Sequence, residues 1–255
     1  MNRNPLRIIG RIAIVIIVVA LIASVAVDRR MKKEYARFEL IPTSAVNAEI
    51  VAIWNRIVNY YLVKTPSGWI AIDSGGDPGH SRKEFAAIGF DPSLVRAVFL
   101  THSDSDHARG VTLFPNAKVF VSEREKDIAT GKVNRAFVFK NSLAVEPVWL
   151  SDGEAVLVDG RRVQIVEAPG HTPGSAAYIV DGKYLFTGDA FAIQDGRIDP
   201  FNEFFTMDQA RANESVYRLA SLKGLSLVLT GHYGVSDKPD ALFAEFLSRP
   251  ITPAR

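Results

Sequence analysis

The 255-residue chain contains no cysteine, which excludes a disulfide framework, a thiolate nucleophile and any cysteine-ligated zinc or iron-sulfur site. An excess of positive charge is also missing from most of it. Formal net charge is +2, but eight of the basic residues lie before residue 38 (Arg3, Arg7, Arg11, Arg29, Arg30, Lys32, Lys33 and Arg37), against only Asp28 and Glu34. The remainder carries 22 basic and 26 acidic residues, and a mildly acidic body does not suit nucleic acid, whose phosphates require a basic surface. Histidine is scarce as well. There are five, and where they fall is the most informative feature of the chain. At 47% hydrophobic content a chain of this length can bury one large core plus an appendage, rather than two full domains.

The appendage is N-terminal. Ile8 to Val27 is apolar except for Arg11, and as a helix this stretch would rise about 30 Å, the thickness of a bilayer's hydrocarbon core. It predicts a membrane anchor over residues 1–30. A signal segment is the alternative, with export after cleavage behind the small residues Ser24 and Ala26. Basic residues on both sides of the stretch lean toward a cytoplasmic body, although the short tail before it leaves the side of the membrane open. Residues 31–49 read as a linker, and 50–255 as the folded body.

Within the body, Trp54 to Lys64 reads as a strand, Pro66-Ser67-Gly68 as a turn and Trp69 to Ile72 as the returning strand. Ser81 to Ile88 reads as a helix, Leu94 to Leu100 and Lys118 to Ser122 as buried strands, and Glu123 to Thr130 as a helix closed by Gly131. Residues 132–150 carry little pattern; the aromatics Phe137, Phe139 and Trp149 read as core. Asp159-Gly160 and Asp181-Gly182 each join two short apolar runs, a strong hairpin signal. Asp208 to Leu222 reads as a helix, Leu225 to Leu229 as a strand and Asp237 to Leu247 as a closing helix. A hairpin, a helix and an apolar strand ending in histidine occur once up to His102 and again up to His232, which suggests two similar halves.

Chemistry concentrates after the Leu94 to Leu100 run, in Thr-His-Ser-Asp-Ser-Asp-His-Ala-Arg-Gly. His102, Asp104, Asp106 and His107 place four lone-pair donors within this stretch, and such packing is costly unless a cation sits among them. If the strand continues, residues two apart point the same way, so His102, Asp104 and Asp106 line one side of a cleft and His107 opens the turn. Two further histidines stand beside glycine at predicted strand ends: His171 in Gly-His-Thr-Pro-Gly-Ser and His232 in Thr-Gly-His-Tyr-Gly. Asp189 lies between them in Phe-Thr-Gly-Asp-Ala. Asp73, before Ser74 and two glycines, reads as a loop-fixing carboxylate that accepts backbone hydrogen bonds. His80 reads as an exposed loop histidine. Arg109 and Tyr233 are weaker candidates for substrate contact, as an anion binder and a hydrogen-bond donor respectively.

In order and spacing, Asp73, the His102 to His107 cluster, His171, Asp189 and His232 resemble the five motifs of the metallo-β-lactamase superfamily, over about residues 50–235. The resemblance implies an α/β fold, a four-layer αββα sandwich, here preceded by the N-terminal transmembrane helix. It assigns His102, Asp104 and His171 to one metal ion and Asp106, His107 and His232 to a second, with Asp189 bridging. The usual motif is H-x-H-x-D-H, and Asp104 replaces its second histidine; the added negative charge hardens the site toward manganese or iron. Two divalent ions, zinc first, imply a hydrolase whose hydroxide attacks an ester, lactone, thioester, amide or phosphoester, with Asp106 as the catalytic carboxylate. The alternative is an iron-dependent oxidoreductase on the same fold. A blander reading is a membrane-tethered binding module. The partners expected are a small-molecule substrate and the membrane, not nucleic acid.

Overall fold

The structure is a computed structural model describing residues 5–135 and 140–249, and the chain divides into two compact units, Met1–Phe38 and Glu39–Arg255. Phe137 and Phe139 lie outside the described residues. The first unit is built on helix α1 (Pro5–Tyr35). Of the expected span, Ala13 to Val27 has described side chains, with exposed apolar residues such as Ile14, Ile17 and Leu21. Among the described residues no helix is long and apolar enough to cross a membrane, so the expected spanning anchor is not supported.

In the second unit, the first sheet contains β1 (Ser44–Ala45), β2 (Ile50–Asn55), β3 (Val58–Lys64) and β4 (Trp69–Ile72), joined by α2 (Pro78–Ile88) to β5 (Val95–Phe99). A single-turn helix α3 (Ser105–Ala108) leads to β6 (Lys118–Ser122), and α4 (Lys126–Ala129) leads toward β7 (Val148–Leu150). These seven strands lie in sequence order, antiparallel as far as β4 and parallel from there on. The second sheet takes β8 (Ala155–Val158), β9 (Arg161–Glu167), β10 (Ala176–Val180) and β11 (Tyr184–Gly188). A separate ribbon of β12 (Phe191–Gln194) and β13 (Arg197–Pro200) precedes α5 (Gln209–Ala220), β14 (Leu227–Thr230), β15 (Val235–Ser236) and α6 (Pro239–Ser248). The strand order is β15-β14-β11-β10-β9-β8.

Alternation along the strands sorts their side chains into three cores. Ile70, Ile72 and Phe99 meet Ile165, Tyr178 and Phe186 between the two sheets. Ala71 and Val98 face the other way, onto Phe85 of α2. On the far side, Ala177 and Val228 pack under Val216 and Leu219 of α5 and Phe243 of α6. The layers therefore run helix, sheet, sheet, helix, as the αββα reading expects.

Three local expectations need correcting. Trp54 to Lys64 is two strands, because the chain reverses at Arg56, which adopts φ 63° and brings Trp54 opposite Asn59; no glycine or proline marks that turn. His80 is buried, not exposed in a loop. Asp77 caps α2 by accepting from the His80 N–H at 2.9 Å, which winds Pro78-Gly79-His80 into the first turn and sets the His80 ring edge-on to Trp54 at 4.7 Å. Glu123 to Thr130 is a short 3-10 turn followed by α4, with Gly131 at φ 69° ending it.

The topology fixes where chemistry can collect. Strand β4 is parallel to β5 and β5 to β6; β9 and β11 are each antiparallel to β10, and β14 is parallel to β11. The loops leaving the carboxyl ends of these strands carry Asp73, His102, Glu125, His171, Asp189 and His232, and they share one edge of the sandwich. Phe99, the last residue of β5, anchors that edge, fully buried, with Phe120 stacked at 4.8 Å and Tyr178 edge-on at 5.3 Å. Phe99→Ala is expected to cost about 3–5 kcal/mol, readable as a shift of the urea unfolding midpoint at unchanged slope.

Candidate metal centre

The chain turns sooner after β5 than strand spacing suggests. Asp104 is the last extended residue, at φ −62° and ψ 145°, and helix α3 opens at Ser105. Asp106 and His107 therefore both sit in the turn, and the four donors split instead of lining one side. His102 and Asp104 face His171; Asp106 and His107 face His232. Donor atoms lie within 4.8 Å of one another in each of three groups: His102, Asp104 and His171; Asp106, His107 and His232; and His102, His107 and Asp189. Asp189 is common ground, with Oδ1 3.3 Å from His107 Nε2 and Oδ2 3.4, 3.5 and 3.9 Å from Nε2 of His232, His171 and His102. All seven residues named from the sequence come together.

Hydrogen bonds at the outer nitrogens set which lone pairs face inward. His107 Nδ1 donates to Asp73 Oδ2 at 2.8 Å, and His232 Nδ1 donates to the Ile57 carbonyl. Carboxylate and carbonyl only accept, so both rings carry a proton on Nδ1 and turn Nε2 inward. Thr101 Oγ1 donates to Asp73 Oδ2 at 2.9 Å and so accepts from His102 Nδ1 at 3.0 Å, which leaves the lone pair of His102 on Nε2. His171 differs. Its Nδ1 has no hydrogen-bond partner among the described residues, and its Nε2 lies 3.2 Å from both Asp104 Oδ2 and Arg135 Nη2.

These groups fit a cation and fit each other poorly without one. His102 Nε2 and Asp189 Oδ1 are buried with no hydrogen-bond partner among the described residues, and His107 Nε2 stands 3.2 Å from His232 Nε2. Lone pairs that converge in a buried place need a shared positive charge. The proton affinities say the same. Burial opposes charge on His107, but Asp189, Asp73 and Asp106 outweigh it and hold its pKa well above the usual histidine value. His232 is raised too, burial again being overcome, chiefly by Asp189. Burial, then His107 beside it, push His102 well below. Burial raises Asp189 and Asp104, yet the neighbouring histidines, with Arg135 beside Asp104, pull both well below the carboxylate range.

The surrounding support was only partly visible in the sequence. Asp73, in the left-handed region at φ 63°, accepts from the Thr101 N–H at 2.8 Å, the loop-fixing role expected of it, and additionally orients His107. Glu125 was not anticipated. Fully buried, it accepts from Ser103 N and Oγ at 2.9 and 2.7 Å and from Thr172 Oγ1 and Gly174 N at 2.7 and 3.1 Å, tying the His102 loop to the His171 loop. Burial raises its pKa, only partly offset by these bonds. Arg135 and Asn141, both on Asp104, come from the stretch that carried no pattern. Gly231 has no room for a side chain: a Cβ there would lie 2.7 Å from His107 Cε1 and 2.8 Å from Asp189 Oδ1. Of the weaker candidates, Arg109 is exposed, and Tyr233 is buried with its ring edge-on to Phe201 at 5.8 Å.

The family model of the metallo-β-lactamase superfamily matches residues 53–232, and the chain belongs to that superfamily. It is 29% identical over 174 residues to the hydroxyacylglutathione hydrolase of Xanthomonas euvesicatoria pv. vesicatoria (strain 85-10), a match over 64% of this chain and 59% of that protein. The chain thus spans less than two thirds of that relative's length. Among solved structures, a Cronobacter sakazakii metallo-β-lactamase with a HARLDQ motif superposes at a TM-score of 0.63 with 19% identity, over 83% of this chain and 93% of that one. A B3 metallo-β-lactamase described as the first with an active-site glutamic acid gives 0.63 and 20%, over 86% and 91%. At such identities the likeness is one of fold. The fold implies divalent metal binding, and the clustered histidines and aspartates are the candidate ligands.

Protons and metal ions compete for the same inward nitrogens, and the raised His107 and His232 hold their protons to higher pH. Affinity for Zn²⁺ is therefore expected to climb with pH through neutrality, with protons released on binding. Calorimetric titration in buffers of different ionisation enthalpy reads both; an affinity flat in pH is the contrary result. Asp73→Asn, which weakens the hold on His107, is expected to lower Zn²⁺ affinity about 10–100-fold by competition against a chelator.

Proposed function

We propose that the protein is a metal-dependent hydrolase working through a dinuclear centre, and the observation that carries this is the convergence of four inward-facing imidazoles and three carboxylates on one sheet edge. His102, Asp104 and His171 would hold one ion, Asp106, His107 and His232 the other, and Asp189 would serve both; zinc fits the nitrogen-rich set, with manganese or iron as alternatives because of Asp104. When bound, divalent ions supply Lewis-acid polarisation of a carbonyl or phosphoryl oxygen and acidify water toward neutral pH.

The protein's own residues do the remainder. Asp106, at 28% side-chain exposure the most open of the seven donors, is the group assigned to orient the attacking water and take up its proton. Phe201 packs edge-on to His171 at 4.8 Å and tilted against His232 at 6.0 Å, which keeps bulk water from that side of the centre and strengthens the charge interactions inside it. Three outward hydrogen bonds hold imidazoles in one orientation, so little reorganisation is needed as charge develops.

Candidate substrates are esters, lactones, thioesters, amides and phosphoesters. The relative named a hydroxyacylglutathione hydrolase puts thioesters first. A second reading, an iron-dependent oxidoreductase, draws support from Asp104 alone, since a carboxylate in place of an imidazole favours a harder, redox-active ion.

A substrate panel on the full chain, with metal content measured on the same samples, separates the readings. Turnover of at least one substrate class is expected, lost on His102→Ala and reduced about 10²–10⁴-fold in kcat by Asp106→Asn. Bound iron with visible absorption and no hydrolysis would favour the second reading, and absence of bound metal would overturn both.

A further inference from the structure

Arg135 stands inside the candidate centre and has no place in the reading just given. Its side chain is 13% exposed, and its Nε donates to both oxygens of Asp104, at 2.7 and 2.8 Å. Nη2 donates to the Phe205 carbonyl at 2.6 Å and lies 3.2 Å from His171 Nε2. Asn141 Nδ2 supports the same carboxylate at 2.8 Å and Ser103 Oγ at 3.0 Å. The guanidinium thus touches two of the three residues in the His102, Asp104 and His171 group, at the very atoms by which they would bind a metal ion.

Two elementary facts give this contact a consequence. A guanidinium is always charged and only donates, so with the His171 proton on Nδ1 it engages the one lone pair of Nε2. A metal ion needs the same lone pair. Asp104 is less exclusive, because its two oxygens can serve Arg135 and a second cation together. The full positive charge of Arg135 also lies within a few ångströms of any ion in this group, where low polarity magnifies the repulsion. Asp104 and Arg135 together contribute the net charge of a neutral imidazole, although only one of them is a ligand. In the other group, the Nε2 atoms of His107 and His232 turn inward beside the carboxylates of Asp106 and Asp189.

Resting on the metal-dependent reading above, we infer that Arg135 is a resident counter-cation that competes with metal for Asp104 and His171 and makes the His102, Asp104 and His171 group the weaker of two unequal metal sites. A first ion fills the Asp106, His107 and His232 group. A second enters only when Arg135 gives up His171.

The test is Zn²⁺ binding to chelator-stripped full-length protein, measured by competition with a chromogenic chelator and repeated with Co²⁺ followed by visible absorption, neither of which requires turnover. Wild type is expected to bind two ions with affinities at least tenfold apart. Arg135→Gln, which keeps a donor for Phe205 but loses the charge, is expected to tighten the second ion at least tenfold and to move the first less than threefold. An unchanged or weaker second affinity in the variant, or two equal affinities in wild type, overturns the inference and leaves the hydrolase reading standing; no binding to either protein overturns both. Arg135→Lys covers a glutamine variant that fails to fold. A single ammonium cannot span Asp104 and His171, so the second affinity should lie above that of wild type, and a value at or below it is the overturning result.

Discussion

Asp189 is buried to 5% exposure and lies within 3.3–3.9 Å of the Nε2 atoms of four histidines, two of which are themselves in contact. No distribution of protons satisfies all of these groups together. Protonating one nitrogen meets one carboxylate and leaves the other lone pairs facing each other in a region of low polarity. The rest of the edge can be understood as what it takes to hold so unfavourable a cluster in place.

The restraint is applied from behind. Asp73, Thr101 and the Ile57 carbonyl engage the outer nitrogens of three rings, and Glu125 takes four hydrogen bonds from the two loops that present His102 and His171. Each of these partners sits at the carboxyl end of a strand or beside it, so the sandwich core, through residues such as Phe99 and Tyr178, carries the load. Tyr178 illustrates the link: its hydroxyl donates to the Leu100 carbonyl at 2.9 Å, just before the turn that carries the candidate ligands. Arg135 is the exception, since it approaches from the front and meets the candidate ligands directly.

Much of this was readable in the residue order. The paired Asp-Gly turns marked two hairpins because both positions must take positive φ, and Asp159-Gly160 and Asp181-Gly182 do so. Asp195-Gly196 carries the same signal at φ 50° and 71° and joins β12 to β13, a ribbon the reading of the sequence passed over. The reversal at Arg56 was illegible, because its left-handed conformation is imposed by β2 and β3 pairing and not by local chemistry. Helix α1 shows the opposite failure. Its composition spoke strongly for a membrane span, yet among the described residues no helix is long and apolar enough to cross a membrane.

The sequence by itself determined which residues could bind a cation, since four donors in six residues and two glycine-flanked histidines have no comparable use in packing, and it determined the order in which strands would deliver them. Only the tertiary structure decided how the donors divide, because the turn at Ser105 sends Asp106 and His107 away from Asp104, a geometry that strand periodicity does not contain. It alone placed Glu125 behind the site and Arg135 within it. Both lie far along the chain from the loops they touch, and contacts of that kind arise when sheets stack and loops close over an edge, a matter of long-range packing that no local pattern encodes.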